Sequence, residues 1–228
     1  MEKIHFIVTS GGTQEPIDAV RYIGNRSTGR LGVAIATEAA ARGHAVCLVR
    51  ARESALPPQP GRGRQESPIR STEFVTADDL RDKLRREVSR LPDPGAVVMA
   101  AAVADYSPEP REGKISSKED ELLLRLIKVP KIVDQVKTWK GDVLLVKFKL
   151  ESGIGREELL SVGAASARQS QADLMLLNDV DTIGPDRHRA ILFRPDRATC
   201  VDLDAKSSIA EAIVSAVEDL LDEKREGS

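Results

Sequence analysis

Thr9-Ser10-Gly11-Gly12-Thr13-Gln14-Glu15-Pro16-Ile17-Asp18, continued by Val20-Arg21-Tyr22-Ile23-Gly24-Asn25-Arg26-Ser27-Thr28-Gly29, is the stretch whose reading decides the fold. An apolar run from Ile4 to Val8 stops where this stretch begins, and a helical apolar stripe opens just after it at Leu31. A strand that empties into a glycine-rich loop ahead of a helix is an arrangement suited to phosphate. Glycines let the backbone come close, their N–H groups turn inward, and the helix N-terminus adds partial positive charge. The loop is long, and Arg21, Asn25, Arg26 and Ser27 give it more to touch than a phosphate. A structural turn, with Ser27 or Thr28 capping the helix, is the competing reading. Neither a Walker Gly-Lys-Ser/Thr nor a clean Gly-x-Gly-x-x-Gly is present.

Outward from this stretch, short apolar runs alternate with helical periodicity, the pattern of a parallel sheet wound with helices. Strands are expected near 3–9, 45–50, 73–76, 96–101, 143–148 and 173–178. Helical stripes lie between them, at Leu31, Ala34, Ile35, Ala39, at Leu80, Leu84, Val88, Leu91, and from Ile209 to Leu220. The fold class expected is α/β: a Rossmann-like, doubly wound, mostly parallel sheet. Residues 51–71 read as a Pro-, Gly- and Arg-rich surface loop, and residues 106–129 as a protruding β-ribbon flap built on the run Glu121 to Val129. Residues 189–194 and 199–203 flank Pro195-Asp196-Arg197 and suggest a hairpin. No linker divides the chain, so residues 1–228 read as one domain.

At 228 residues the chain can bury a real core, and a net charge of −2 argues against a general nucleic-acid binder. No apolar run approaches a membrane span and no leader pattern opens the chain, so cytoplasm is the expected location. Cys47 and Cys200 sit in apolar, strand-like contexts and read as inert core thiols. His5, His44 and His188 share no spacing for a metal or a catalytic pair, and no metal ligand is assigned.

Ligands of open parallel sheets collect at the carboxyl ends of the strands. The loop 9–29, the run Ala100-Ala101-Ala102-Val103-Ala104-Asp105-Tyr106 and the segment Lys147-Phe148-Lys149-Leu150-Glu151 should converge there. Ala172-Asp173-Leu174 with Leu177-Asn178-Asp179 should end a further strand on that edge. The alanines either permit close packing or make room for a flat base beside Asp105. Lys114 reads as a solvated loop lysine and Phe148 as a core residue or a stacking platform. The residues alone give a phosphate-containing ligand on a Rossmann-like sheet, without a reaction.

Taken together the segments resemble phosphopantothenoylcysteine synthetase, the ligase of coenzyme A biosynthesis. The resemblance rests on Thr9 to Thr13, Ile17-Asp18, Val20 to Ile23, Asn25 to Gly29, Ala101 to Tyr106, Lys114-Ile115, Lys128 to Val133, Ala172 to Leu174 and Asn178-Asp179. It implies that 4′-phosphopantothenate attacks the α-phosphorus of CTP and that L-cysteine then takes the acyl group from the acyl-cytidylate. It implies Mg2+, a homodimer joined by the flap, and a stand-alone synthetase whose product goes to a separate decarboxylase. Asn25 and Lys114 would be catalytic. Arg21, Ser27, Gly29 and Ala102 would hold substrate, with Arg21 on its phosphate. Gly11, Gly12, Asp105, Lys114, Pro130, Ile132, Val133 and Phe148 would hold the nucleotide.

The chain also departs from the pattern of bifunctional bacterial enzymes. Lys114-Ile115-Ser116-Ser117 replaces Lys-x-Lys-Lys, Phe148-Lys149-Leu150-Glu151-Ser152 replaces Phe-Ala-x-Glu-Thr, and Ser166 and Ser170 stand near helix positions that are lysine there. These departures leave CTP and ATP both open. Two other readings have different consequences. In one, a nicotinamide-dependent reductase uses Arg50 and Arg52 for a 2′-phosphate. In the other, a module senses nucleotide without turnover.

Overall fold

The apolar run that opens the chain becomes β1 (His5–Ser10), an interior strand of an eight-stranded sheet in a computed structural model that describes residues 2–58, 69–118, 120–183 and 188–226. From one edge the order is β5 (Ile69–Phe74), β4 (Ala45–Ala51), β1, β6 (Gly95–Met99), β9 (Leu144–Glu151), β10 (Leu174–Asp179), β11 (Ala190–Arg194) and β12 (Thr199–Leu203). The first six strands run parallel; β11 and β12 pair antiparallel at the far edge. The chain leaves β1 toward β4 on one side and later returns to β6 on the other, which makes the β1–β6 gap the switch point of the doubly wound sheet.

Both faces are covered, so the interior strands are nearly continuous apolar runs whose alternate residues serve opposite layers. Phe6, Val8, Leu48 and Val98 pack under α1 (Arg30–Ala41) and α5 (Lys206–Glu226), against Ile35, Ala36, Ile213 and Val217. Ile7, Val49, Val97 and Leu145 face α2 (Ala77–Ser89), the short α3 (Val136–Trp139) and α4 (Arg156–Ser170), against Leu84, Val136 and Leu159. Buried Glu218 joins α5 to α1's end, accepting from Arg42 at 2.7 Å and bonding His44 at 2.8 Å.

Several sequence expectations need correcting. The strand expected at 73–76 is β5, which starts at Ile69; its polar, exposed Arg70 and Glu73 hid an edge strand. It takes the end of the expected 51–71 loop, whose residues 59–68 lie outside the described residues. The ribbon closes at the ends expected for 106–129, but its ladder is three residues long. Only β7 (Tyr106–Pro108) and β8 (Leu126–Lys128) pair, and no strand lies between them among the described residues. Pro108 and Pro110 lack the N–H groups a longer ladder needs. Cys47 is a buried thiol, and burial pushes its pKa up to about 12. Cys200, by contrast, is exposed, because its strand β12 is the uncovered edge.

Gly32 shows how tightly α1 lies on β1. A Cβ there would stand 2.8 Å from the Ser10 Cβ and 2.9 Å from the Thr9 carbonyl oxygen. Alanine improves helix propensity by about 1 kcal/mol, whereas forcing atoms into a packed core costs about 1–3 kcal/mol. Gly32→Ala is therefore expected to lower the urea-unfolding free energy. A stabilised variant would show that α1 can lift from the sheet.

Candidate active site

At the switch point the ends of β1 and β6 stay zipped after the strands have formally stopped. The Ala102 amide donates to the Gly11 carbonyl at 2.8 Å, and the Thr13 amide to the Ala102 carbonyl at 3.1 Å. Two fully buried hydroxyls complete the seam: Thr9 Oγ1 accepts from the Ala101 amide and Thr13 Oγ1 from the Ala104 amide, each at 3.0 Å. Gly11 (φ +86°) and Gly29 (φ +73°) take the left-handed backbone that L side chains avoid. Ser10 Oγ donates to the Gly29 carbonyl at 2.9 Å, which sets the start of α1 beside the end of β1. Gly29 is itself the N-cap and has no side chain; of the two expected caps, Thr28 Oγ1 accepts from the Arg30 amide at 3.5 Å.

The long loop contains a hairpin, β2 (Gln14–Pro16) with β3 (Tyr22–Gly24). Asp18, whose side chain is fully shielded, organises its turn. Its carboxylate accepts from the amides of Val20 (2.9 Å), Arg21 (2.8 Å) and Ile115 (3.0 Å), and from Arg21 Nη1 at 2.9 Å. The Val20 amide above all, with the Ile115 and Arg21 amides and the Arg21 charge, holds this carboxyl below its ordinary pKa against the upward push of burial. The Gly113 carbonyl also accepts from the Ala19 amide, so Lys114 sits between two anchored neighbours with its side chain exposed. Arg21, whose Nη1 also donates to the Ile115 carbonyl at 3.4 Å, thus shares one corner with Lys114. Asn25 is exposed, and its carbonyl lies so near Gly12 that a Cβ there would be 2.5 Å away.

On the other side of the seam, Ala101, Val103, Ala104 and Asp105 help line a cavity of about 250 Å3. Its remaining wall is the turn Pro130 to Asp134, the strand end Lys147 to Lys149, and Ser166 and Gln169 of α4. Lys147 is buried, with Nζ donating to the Ser166 carbonyl at 3.1 Å and to Asp134 Oδ1 at 3.3 Å. Burial lowers its pKa, opposed by Asp134 and assisted by the charges of Lys131 and Lys149. Gln169 Nε2 donates to the other Asp134 oxygen at 2.6 Å, and Lys131 pairs with Asp105.

Of the residues expected to bind nucleotide, Asp105, Pro130, Ile132, Val133 and Phe148 line this cavity. Phe148 packs with the α1–α5 layer, because strand alternation sends Lys147 toward α4 and its neighbour the other way. Gly11 and Gly12 form the seam with Ala102, Asn25 lies against Gly12, and Lys114 sits beside the hairpin turn. Asp173 does not join the carboxyl edge. It precedes β10 at the amino end, where it accepts from Lys137 and the Leu145 amide. Asn178 bonds His188 and the Arg189 carbonyl, tying β10 to the antiparallel edge.

Sequence reasoning quoted Asp18 without giving it a role, and it assigned nothing to Lys147, Asp134 or Gln169. A lysine interrupting the apolar run Val143 to Phe148 was the available signal for the first of these. The reductase reading loses one of its two cations. Arg50 is buried, paired with Glu73 and donating to the carbonyls of Ala51 and Arg52.

Comparison with known proteins places this geometry. Residues 1–221 match the family described as DNA/pantothenate metabolism flavoprotein C-terminal domain. A coenzyme A biosynthesis bifunctional protein CoaBC from Thermococcus kodakarensis is 33% identical over 221 residues, 97% of this chain and 52% of that protein. The chain therefore spans about half the length of that curated relative. The crystal structure of the DNA/pantothenate metabolism flavoprotein from Streptococcus pneumoniae superposes with a TM-score of 0.82 at 29% identity, covering 96% of this chain and all of that one. A Cab2 variant in complex with phosphopantothenate-cysteine shares the fold, with a TM-score of 0.79 at 20% identity over 98% of this chain and 89% of that one. The chain belongs to the DNA/pantothenate metabolism flavoprotein C-terminal domain family.

Proposed function

We propose that this chain joins 4′-phosphopantothenate to L-cysteine through an acyl-nucleotidylate, with CTP as the nucleotide. The observation that supports the reading is the division of the sheet edge by one seam into a half-open cavity and an exposed cationic corner. The division suits a reaction that brings a nucleotide and a phosphorylated acid together at one phosphorus. The pathway in the relatives' name, and the phosphopantothenate-cysteine held by the Cab2 neighbour, supply the substrate class.

In this reading the base enters the cavity among Asp105, Pro130, Ile132, Val133 and Phe148, and the triphosphate runs toward Gly11, Gly12 and the start of α1. Arg21 meets the phosphate of the acid, with Ser27, Gly29 and Ala102 beside it. The acid's carboxylate must approach a polyanion. Two like unit charges 4 Å apart repel by roughly 4 kcal/mol at an effective dielectric near 20. Lys114, on its anchored loop, offsets this repulsion. A Mg2+ ion bound with the nucleotide would supply further neutralisation. Carboxylate oxygen attacks the α-phosphorus and pyrophosphate leaves; the cysteine amine then attacks the acyl carbon and the nucleoside monophosphate leaves. Asn25 donates to the acyl oxygen as charge builds there.

Purified protein with phosphopantothenate, cysteine and Mg2+ should release pyrophosphate, in separate reactions with CTP and with ATP, only when the acid is present. Asn25→Ala should lower kcat by about 10²–10³-fold, the usual loss for one donor to a developing oxyanion. Release with ATP alone would keep the ligase and reassign the base. Nucleotide binding with no release from either would favour the sensing module.

Asp18 gives a pH test. Its folded pKa is depressed, so its stabilisation is present above the ordinary carboxylate value and is lost as pH falls through the lower one. The stability difference between wild type and Asp18→Asn should stay constant near neutral pH and narrow below about pH 4. Urea titrations across pH check this, and a gap that widens in acid would contradict it.

A homodimer is part of the same proposal, because the ribbon and its surroundings leave Leu123 84%, Tyr106 53% and Ile127 44% exposed. Leu123→Asp combined with Ile127→Asp should give a folded monomer by light scattering, with activity lost. A variant that stays dimeric would place the interface elsewhere.

A further inference from the structure

The cavity holds a buried pair that the reaction scheme leaves unused. Lys147 has three N–H donors, of which two have partners, the Ser166 carbonyl and Asp134. Its side chain is nine-tenths shielded, and it lines the cavity, so the third donor can be met only from inside that space. Beside it, the Asp134 carboxylate is an acceptor with lone pairs to spare, whereas the Ser166 carbonyl is already taken by Lys147 and by Ser170 Oγ at 3.0 Å. A buried ammonium already matched by a carboxylate is a poor receptor for a phosphate, since Asp134 would repel the incoming anion. A neutral ligand edge that presents one acceptor and one donor side by side meets neither objection.

We propose that Lys147 and Asp134 read the base of the nucleotide by its amino–imine edge, an exocyclic amine next to an unprotonated ring nitrogen. This rests on the ligase reading only in placing a nucleotide in the cavity. The ring nitrogen accepts from Lys147 Nζ, and the exocyclic amine donates to the Asp134 carboxylate. Cytosine and adenine carry this edge. Uracil and hypoxanthine carry a carbonyl in place of the amine and a protonated ring nitrogen in place of the acceptor. They would set an oxygen against Asp134 and an N–H against the ammonium. The pair therefore rejects oxo bases, and the choice between cytosine and adenine falls to the shape of the cavity. Gln169 holds the second Asp134 oxygen and fixes the carboxylate's orientation.

The test is direct binding to the full chain by calorimetry, using CMP, AMP, UMP, IMP and inorganic tripolyphosphate. Wild type should bind CMP or AMP at least about tenfold more tightly than UMP or IMP, because a mispaired buried polar edge is costly. Lys147→Met keeps the apolar stem and removes the donor; Asp134→Asn keeps the shape and changes the acceptor. Either should reduce the amino-over-oxo preference to within about threefold while tripolyphosphate binding holds. Asp134→Asn decides the matter should Lys147→Met fail to fold. Equal weakening of all four monophosphates, loss of tripolyphosphate binding, or a wild type that binds none of the bases would each overturn the proposal. These readings need no acid and no cysteine. A protein that discriminates between bases but releases no pyrophosphate would refute the ligase reading and leave this one standing.

Discussion

The seam between the ends of β1 and β6 is the constraint on which everything else at this sheet edge depends. Two parallel strands that diverge at a switch point expose backbone amides with no further ladder partners. Here the Ala101 and Ala104 amides are met by the hydroxyls of Thr9 and Thr13. An orphaned buried amide costs about 1–3 kcal/mol, so each threonine acts locally with an effect comparable to a core side chain. With the seam closed, the two segments it joins can carry different chemistry on their outer sides. The glycine stretch leads to the hairpin and α1, and the alanine stretch forms a cavity wall. Small residues at 100–102 and 104 then serve both readings the sequence left open, since the close approach that admits the seam also leaves the space beside it.

Charge is handled differently on the two sides. At the hairpin corner the anchor is an anion, Asp18, held by three amides and a guanidinium. It draws the residue after Lys114 onto the turn that carries Arg21, so two segments distant in sequence bring their cations to one turn. Those cations remain accessible to solvent. In the cavity the charges are matched in place: Lys131 with Asp105 and Lys147 with Asp134. Neutrality there gives selectivity by hydrogen-bond pattern instead of by charge, because a mismatched polar edge cannot be rescued by water in so small a space.

Much of this was legible in the sequence. The parallel sheet, the two helical layers and the position of the glycine stretch followed from period and punctuation, because strands covered on both faces are written as unbroken apolar runs. The edge strands were harder. β5 carries Arg70 and Glu73 on an uncovered face, and β12 exposes Cys200 on another, so the burial inferred for its thiol does not hold. The ribbon was overextended because apolar residues from Leu122 to Ile127 look like strand, whereas Pro108 and Pro110 opposite them cannot sustain a ladder. Five of the thirteen expected site residues, Asp105, Pro130, Ile132, Val133 and Phe148, line the cavity, and others lie at the seam and the hairpin turn. What one sequence could not express was the pairing of Lys147 with a turn thirteen residues earlier and a helix carbonyl nineteen later.

The aromatic content bears on how such a pocket can work at all. Only 3% of the chain is aromatic, and Phe148, the one aromatic residue on the cavity wall, packs with the opposite helical layer. A base proposed for this cavity would lie instead against Met99, Val103, Ile132 and Val133, apolar side chains that are blind to which heterocycle they touch. Apolar walls of that kind separate ligands differing by a polar group only weakly, by about 10²-fold at most, whereas unpaired buried donors and acceptors discriminate far more strongly. Identity must then be read at the floor, where strand alternation turns Lys147 inward as it turns Phe148 away. The same period of two that packs Phe148 against the opposite helical layer turns the Lys147 ammonium toward α4 and the cavity.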